Sequence, residues 1–191
     1  PEIPLLPWSP ASQTARDEDT EAPLGARHVA QADAARKAGI ALVGGTIVTD
    51  PDPEVRFHTA LVFDAGGELL QSSRKIHLPE EPGFWETSHY QSADDGAVPV
   101  SVCGWSLGVQ ICSDIMRPMG SHGLAARGAE LIVNPRATSC STADEWMLVC
   151  RSTALTTSTY VVSATRPRPE QGVNLGGPCL AAGPDGRSLV E

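Results

Sequence analysis

Three short stretches carry residues able to do chemistry. Residues 98–118, VPVSVCGWSLGVQICSDIMRP, place Cys112 at the end of an apolar run. Residues 74–79, RKIHLP, put Lys75 and His77 where a strand passes into a polar loop. Pro1-Glu2 sets a carboxylate ahead of an irregular, proline-rich segment. The cysteine is the strongest nucleophile of the set. A thiol held between a buried strand and a helix start lies near backbone N–H groups and a positive helix end, which favour the thiolate. A free cysteine is more often a small buried hydrophobe, so the thiol alone assigns no activity. The histidines at 28, 58, 77, 89 and 122 are candidates for a cysteine–histidine pair. His77 faces the same way as Lys75 if Lys75 ends a strand. Asp114, two residues past Cys112, suits a helix cap better than a triad acid.

The elements that must position these groups follow from periodicity and turn residues. Val98–Val102 alternates and reads as a strand, Cys103-Gly104-Trp105 as the turn, and Ser106–Ile111 as the second strand of a hairpin. Pro118 opens a helix, Met119–Arg127, closed by Gly128. Glu130–Asn134 reads as a strand, Pro135–Thr142 as a loop and Ala143–Thr157 as a helix with Trp146, Val149 and Cys150 on one face. Tyr160–Ala164 is a strand, Arg166–Gly177 a loop, and Cys179–Ala182 and Arg187–Val190 flank the turn Gly183-Pro184-Asp185-Gly186. Upstream, residues 3–23 read as an irregular surface loop. Leu24–Ala38 is an alanine-rich helix stopped by Gly39. Ile40–Thr49 is a strand broken at Gly44-Gly45, followed by an exposed loop over 50–54. Phe57–Asp64 and Glu68–Arg74 form a hairpin around Ala65-Gly66-Gly67, and its second strand delivers Lys75 to a strand end. Residues 76–97 are long for a loop in a compact domain. With Phe84, Trp85, Glu86, His89 and Tyr90 they are expected to form one wall of a substrate pocket. The pattern is that of a multilayer α/β domain.

These stretches resemble the carbon–nitrogen hydrolase (nitrilase) superfamily, whose signature is a glutamate, a lysine and a cysteine in that order. The family's Pro-Glu corresponds to Pro1-Glu2, its Arg-Lys-x-His-Leu to Arg74–Leu78, and its Gly-Val-x-Ile-Cys-x-Asp to Gly108–Asp114. A second family glutamate, after the lysine, fits Glu86 in EEPGFWE. The resemblance implies a nitrilase-like four-layer α-β-β-α sandwich, truncated at both ends, with residues 1–191 one partial domain. It also implies pairing through helices into a homodimer or higher homo-oligomer. It assigns nucleophilic attack to Cys112, proton transfer to Glu2, the oxyanion to Lys75 and the Ser113 backbone N–H, and orientation of Lys75 to Glu86. Trp85 and Arg136, with Ser139, Thr142 and Asn174, are expected to line the substrate pocket. The implied reaction is hydrolysis of a non-peptide C–N bond in a small amide or N-carbamoyl compound. It proceeds through a cysteine thioester and releases ammonia or an amine. True nitrilases usually carry tryptophan directly after the nucleophile, where this chain has Ser113. The alternatives are a nitrile-hydrolysing enzyme, an inactive binding or scaffold relative, and a cysteine–histidine hydrolase of unrelated fold.

Composition narrows the classes further. The chain has 191 residues, 41% hydrophobic, enough for one domain with a sizeable core. Lys plus Arg number 14 against 23 Asp plus Glu, a net charge of −9 with no basic stripe, which argues against nucleic acid. No stretch approaches the roughly 18 apolar residues of a membrane helix. Residue 1 already lies inside a motif, so the chain is expected to start within a longer protein. Cysteines 103, 112, 140, 150 and 179 are odd in number and contain no Cys-x-x-Cys pair, so neither a disulfide framework nor a zinc site is expected. No metal or other cofactor is expected, and a reducing cytoplasm is the expected home. Cys103, Cys140, Cys150 and Cys179 are expected to be structural, with Cys179 a small buried side chain.

Overall fold

The computed structural model describes the chain apart from residues 50, 51, 53, 95 and 191. The expected loop over 50–54 therefore falls largely outside the described residues. The chain divides into two compact units. The N-terminal unit comprises Ile3–Asp95 with Glu170–Val173; the C-terminal unit comprises Pro1–Glu2, Gly96–Pro169 and Asn174–Glu191.

In the N-terminal unit helix α1, Ala26–Ala38, packs beside a three-stranded antiparallel sheet of β1 (Leu42–Thr49), β2 (Arg56–Phe63) and β3 (Leu69–Arg74). Alanine gives α1 its propensity, and Gly39 ends it at φ 64° with its N–H on the Ala35 and Arg36 carbonyls. Glu21 caps the other end from a distance: its two oxygens accept the Arg27 and His28 backbone N–H groups, at 2.7 and 3.1 Å. The strand expected to break at Gly44-Gly45 is continuous. Gln31 of α1 exchanges hydrogen bonds with the Gly45 backbone, and a Cβ on Gly44 would stand 1.9 Å from Gln31 Oε1. The glycines admit the helix side chain rather than interrupt the ladder. Ala35, Leu61 and Phe63 form the core beneath, with Leu42 and Leu69 against them.

Residues 3–23 are not a surface loop throughout. Ile3 and Trp8 are fully buried, and Ser9 nearly so. Trp8 Nε1 donates to the Gly83 carbonyl at 2.8 Å, its backbone N–H donates to Glu170 Oε2 at 3.1 Å, and its ring meets Phe84. This anchors the long segment after Lys75, which contains a two-residue-per-strand hairpin of β4 (Glu80–Glu81) and β5 (Phe84–Trp85) and a 3-10 turn, Glu86–Ser88.

The C-terminal unit holds a six-stranded mixed sheet. Its strands are β6 (Val100–Val102), β7 (Trp105–Val109), β8 (Leu131–Pro135), β9 (Tyr160–Ala164), β10 (Leu180–Ala182) and β11 (Ser188–Val190), in spatial order β11-β10-β9-β8-β7-β6. The expected hairpin forms, with a tighter turn. Cys103 and Gly104 both take positive φ, so Trp105 pairs with Val102 as a strand residue. β7, β8 and β9 are mutually parallel, which requires crossovers. Helices α2 (Pro118–Ala126) and α3 (Ala143–Thr157) supply them. The parallel strands direct their carboxyl ends to one edge of the sheet, where ligands bind in open α/β folds.

Candidate active site

Cys112 follows β7 at that carboxyl edge. It is buried at 4% exposure, has φ 46°, and opens a 3-10 turn, Cys112–Met116. A non-glycine residue in the left-handed region costs on the order of 1–2 kcal/mol, which persists only where surroundings fix it. α2 begins six residues later, so the nucleophile candidate sits on a short 3-10 turn rather than on an α-helix end. Asp114 caps this turn instead of the following helix: its N–H donates to the Ile111 carbonyl and its Oδ2 accepts the Ile111 N–H at 3.3 Å.

The next strand end supplies the neighbours. Ala137 is completely buried beyond β8. Its N–H donates to Glu2 Oε1 at 2.8 Å, and its carbonyl accepts from Cys112 Sγ at 3.6 Å. The carboxylate and the thiol thus meet the N–H and C=O of a single residue. Glu2 is 1% exposed, and Arg166, beyond β9, holds the Glu2 carbonyl through Nη1 at 3.1 Å. The histidine of this unit, His122, is exposed and bonds Thr156.

Arg136, expected to line the pocket, turns into the interior. It is 1% exposed, with Nε donating to Ser163 Oγ at 2.9 Å and the two Nη groups to Thr138 Oγ1 and the Pro178 carbonyl. Burial pulls its guanidinium below the ordinary value, opposed by the thiols of Cys150, Cys112 and Cys179 and by Glu2. It braces the loop that carries Ala137. Asn134, which sequence reasoning did not single out, is fully buried and donates through Nδ2 to the carbonyls of Gln110 (2.6 Å) and Cys112 (3.1 Å). Ser113 is half-buried, whereas Ser139's neighbour Thr142 and Asn174 are exposed.

In the N-terminal unit Lys75 leaves β3 fully buried. Its backbone is pinned on both sides, N–H to the His58 carbonyl at 2.8 Å and carbonyl from the Ala93 N–H at 3.1 Å. Lys75 Nζ donates to Glu86 Oε1 at 2.7 Å, and Glu86 is also fully buried. Burial pushes the Glu86 carboxyl above its ordinary value, and Lys75 and then His89 oppose that push. His58 Nδ1 lies 3.9 Å from the other Glu86 oxygen. Sequence reasoning left His58 among five unassigned histidines, and nothing in its spacing marks it. Trp85 is half-buried in β5, immediately before Glu86.

Among the described residues no disulfide forms. Of the cysteines expected to be structural, only Cys150 is buried, and burial pushes its thiol up. Cys103, Cys140 and Cys179 are exposed, so the expectation of a buried Cys179 is corrected: it lies exposed immediately before β10. No helix among the described residues is long and apolar enough to cross a membrane.

A family model described as carbon–nitrogen hydrolase matches residues 1–191. The omega-amidase NIT2 of Xenopus tropicalis is 33% identical over 144 residues, covering 72% of this chain and 51% of that protein. The beta-ureidopropionase of Arabidopsis thaliana is 28% identical over 134 residues, covering 69% of this chain and 33% of that protein. The chain thus spans a third to about half the length of these relatives. Among solved structures, the NitN amidase from Nesterenkonia sp. AN1 superposes with a TM-score of 0.85 at 26% identity, covering 99% of this chain and 72% of that one. One mutant of that amidase carries the acetamide moiety of fluoroacetamide covalently at its active-site cysteine, and another is complexed with butyramide.

Proposed function

Since the chain belongs to the carbon–nitrogen hydrolase family, we propose that it forms part of an amidase that hydrolyses the C–N bond of a small amide or N-carbamoyl compound. The observation that carries this reading is the shared anchor at Ala137: a buried carboxylate on its N–H and a buried thiol on its C=O. A nucleophile and a base anchored on one residue supply the two groups that covalent acyl transfer needs.

Glu2 takes the Cys112 thiol proton, and the thiolate attacks the substrate carbonyl carbon. The C=O electron pair moves to oxygen, giving a tetrahedral oxyanion. Lys75 carries the positive charge assigned to that oxyanion, with the Ser113 backbone N–H as second donor. One such donor is worth about 2.7–4 kcal/mol in the transition state. Glu86 holds Lys75 in place at 2.7 Å. The tetrahedral species collapses, the C–N bond breaks, and the proton held by Glu2 passes to the departing nitrogen. A thioester on Cys112 remains. Glu2 then deprotonates a water, which attacks the thioester carbon. The acid departs, and the proton returns to the Cys112 sulfur.

Small substrates are supported by the omega-amidase and beta-ureidopropionase relatives and by the butyramide complex of the structural neighbour. We read the protein as a homo-oligomer. α2 and α3 leave Met119, Leu148 and Leu155 more than half exposed, an apolar surface suited to self-association. A thiol nucleophile suits a reducing, cytoplasmic setting. The test is ammonia release from a panel of short aliphatic amides and N-carbamoyl amino acids. The reading expects turnover on at least one class, abolished by Cys112→Ser. Turnover that survives Cys112→Ser overturns it.

A further inference from the structure

The left-handed backbone of Cys112 needs a cause. Gln110 N–H donates to the Val133 carbonyl at 3.0 Å, the last ladder bond between the β7 and β8 chains. Past that point the chain leaves the sheet while Gln110, Ile111 and Cys112 stay buried, at 2, 1 and 4% exposure. For buried residues such as 110 and 112, an unpaired carbonyl acceptor costs roughly 1–3 kcal/mol. The β7–β8 register ends at Val109. The side chain of Asn134 serves both carbonyls, with Nδ2 at 2.6 Å from one and 3.1 Å from the other.

The asparagine is itself locked. It lies in β8 opposite Ser163 of β9, and Ser163 Oγ donates to its Oδ1 at 2.9 Å. Arg136 Nε in turn donates to Ser163 Oγ at 2.9 Å. Turning the amide over would aim Oδ1 at two carbonyl oxygens and take the acceptor away from Ser163. One orientation therefore satisfies every partner. A donor of two hydrogen bonds and acceptor of one, at this length, describes asparagine; an ionised aspartate only accepts, and leucine does neither.

We propose that Asn134 is the positioning residue that holds Cys112 in its left-handed conformation and so sets the direction of its thiol. It acts beyond the end of the β7–β8 register, at the residue where the strand becomes the nucleophile turn. The chain Arg136–Ser163–Asn134–Cys112 also ties that turn to the loop bearing Ala137. The two features that orient the thiol, its backbone and its hydrogen-bond acceptor, are then braced by one network. The inference rests on Cys112 as nucleophile.

The test compares the full chain with Asn134→Ala and Ser163→Ala. It measures kcat and KM on an accepted amide and the rate of iodoacetamide labelling at Cys112, read by peptide mass spectrometry. Exposed Cys103 is the internal standard, and circular dichroism reports folding. Misplacing a reacting group by an ångström costs up to about a hundredfold. Asn134→Ala is therefore expected to lose at least about tenfold in kcat with KM within about twofold, and to change the Cys112-to-Cys103 labelling ratio at least about threefold. Ser163→Ala is expected to move both readouts less and in the same direction. A folded Asn134→Ala with kcat and labelling ratio unchanged overturns the proposal. If Asn134→Ala does not fold, a folded Ser163→Ala with neither readout moved overturns it. If the parent protein turns over no amide, the functional reading fails, and the labelling ratio still decides on Asn134.

Discussion

The Lys75–Glu86 pair is a fully buried ion pair of the N-terminal unit, and its removal makes a quantitative test. Both side chains are fully buried, with Nζ 2.7 Å from Oε1. Two charges withdrawn from water gain little net stability as a pair. Deleting one removes the hydrogen-bonded counter-charge of a group that stays buried, at a cost of about 3–5 kcal/mol. Glu86→Leu keeps the volume roughly constant and isolates that cost. At about 2–4 °C per kcal/mol for a chain of this size, it lowers Tm by roughly 6–20 °C. Lys75→Met is expected to cost a comparable amount, because Glu86 then loses its 2.7 Å hydrogen-bonded cation. The double variant Lys75→Met/Glu86→Leu is expected to recover most of the loss, since a packed apolar pair often equals or exceeds a buried ion pair. Urea denaturation at neutral pH, followed by tryptophan fluorescence, gives all three values and their coupling energy. The reasoning is refuted if Glu86→Leu costs less than about 1 kcal/mol, or if the double variant is as unstable as the two singles summed.

Three further outcomes are expected. Because burial raises the Glu86 carboxyl above 4.5, the folded state retains a proton that the unfolded state loses; stability therefore falls as pH rises from about that value toward the raised one. Glu86→Gln removes that slope, and denaturant midpoints across the acid range check it. Lys75→Ala is expected to cut kcat and kcat/KM together with KM little changed, and Lys75→Arg to fail nearly as badly, because a bulky fork cannot place one compact charge; near-parental kcat for Lys75→Arg in steady-state kinetics removes the lysine from the mechanism. A competing amide is expected to slow iodoacetamide labelling of Cys112 while leaving exposed Cys103, Cys140 and Cys179 unaffected, as peptide mass spectrometry would record.

Much of the scaffold is legible in the sequence. The helix expected over Ala143–Thr157 and the strand over Tyr160–Ala164 are observed with those bounds, because the helix carries helical spacing and the strand is β-branched. Gly39 stops α1 and Pro118 starts α2 for local backbone reasons that need no tertiary context. The misreadings share one cause, contacts between distant residues. Gly44-Gly45 looks like a break until Gln31, 13 positions earlier, is laid across it. Trp8 looks like part of a surface loop until its indole finds the Gly83 carbonyl, 75 positions away. Arg136 looks like a pocket residue because nothing local shows that Ser163 and the Pro178 carbonyl absorb its donors. Glu2, Lys75 and Cys112 were singled out by motif order. Asn134 and Ala137 were missed because they work through backbone groups, and backbone partnership leaves no residue-type signal.

The central claim is that Cys112 carries the acyl group. The direct measurement is intact-protein mass spectrometry of the enzyme quenched in acid during turnover of an accepted amide, followed by peptide mapping. The account predicts a mass increase equal to the acyl group less one hydrogen, on the peptide containing Cys112, absent in Cys112→Ala. An acyl group on Cys103, Cys140, Cys150 or Cys179, or turnover by Cys112→Ala at the parental rate, contradicts it.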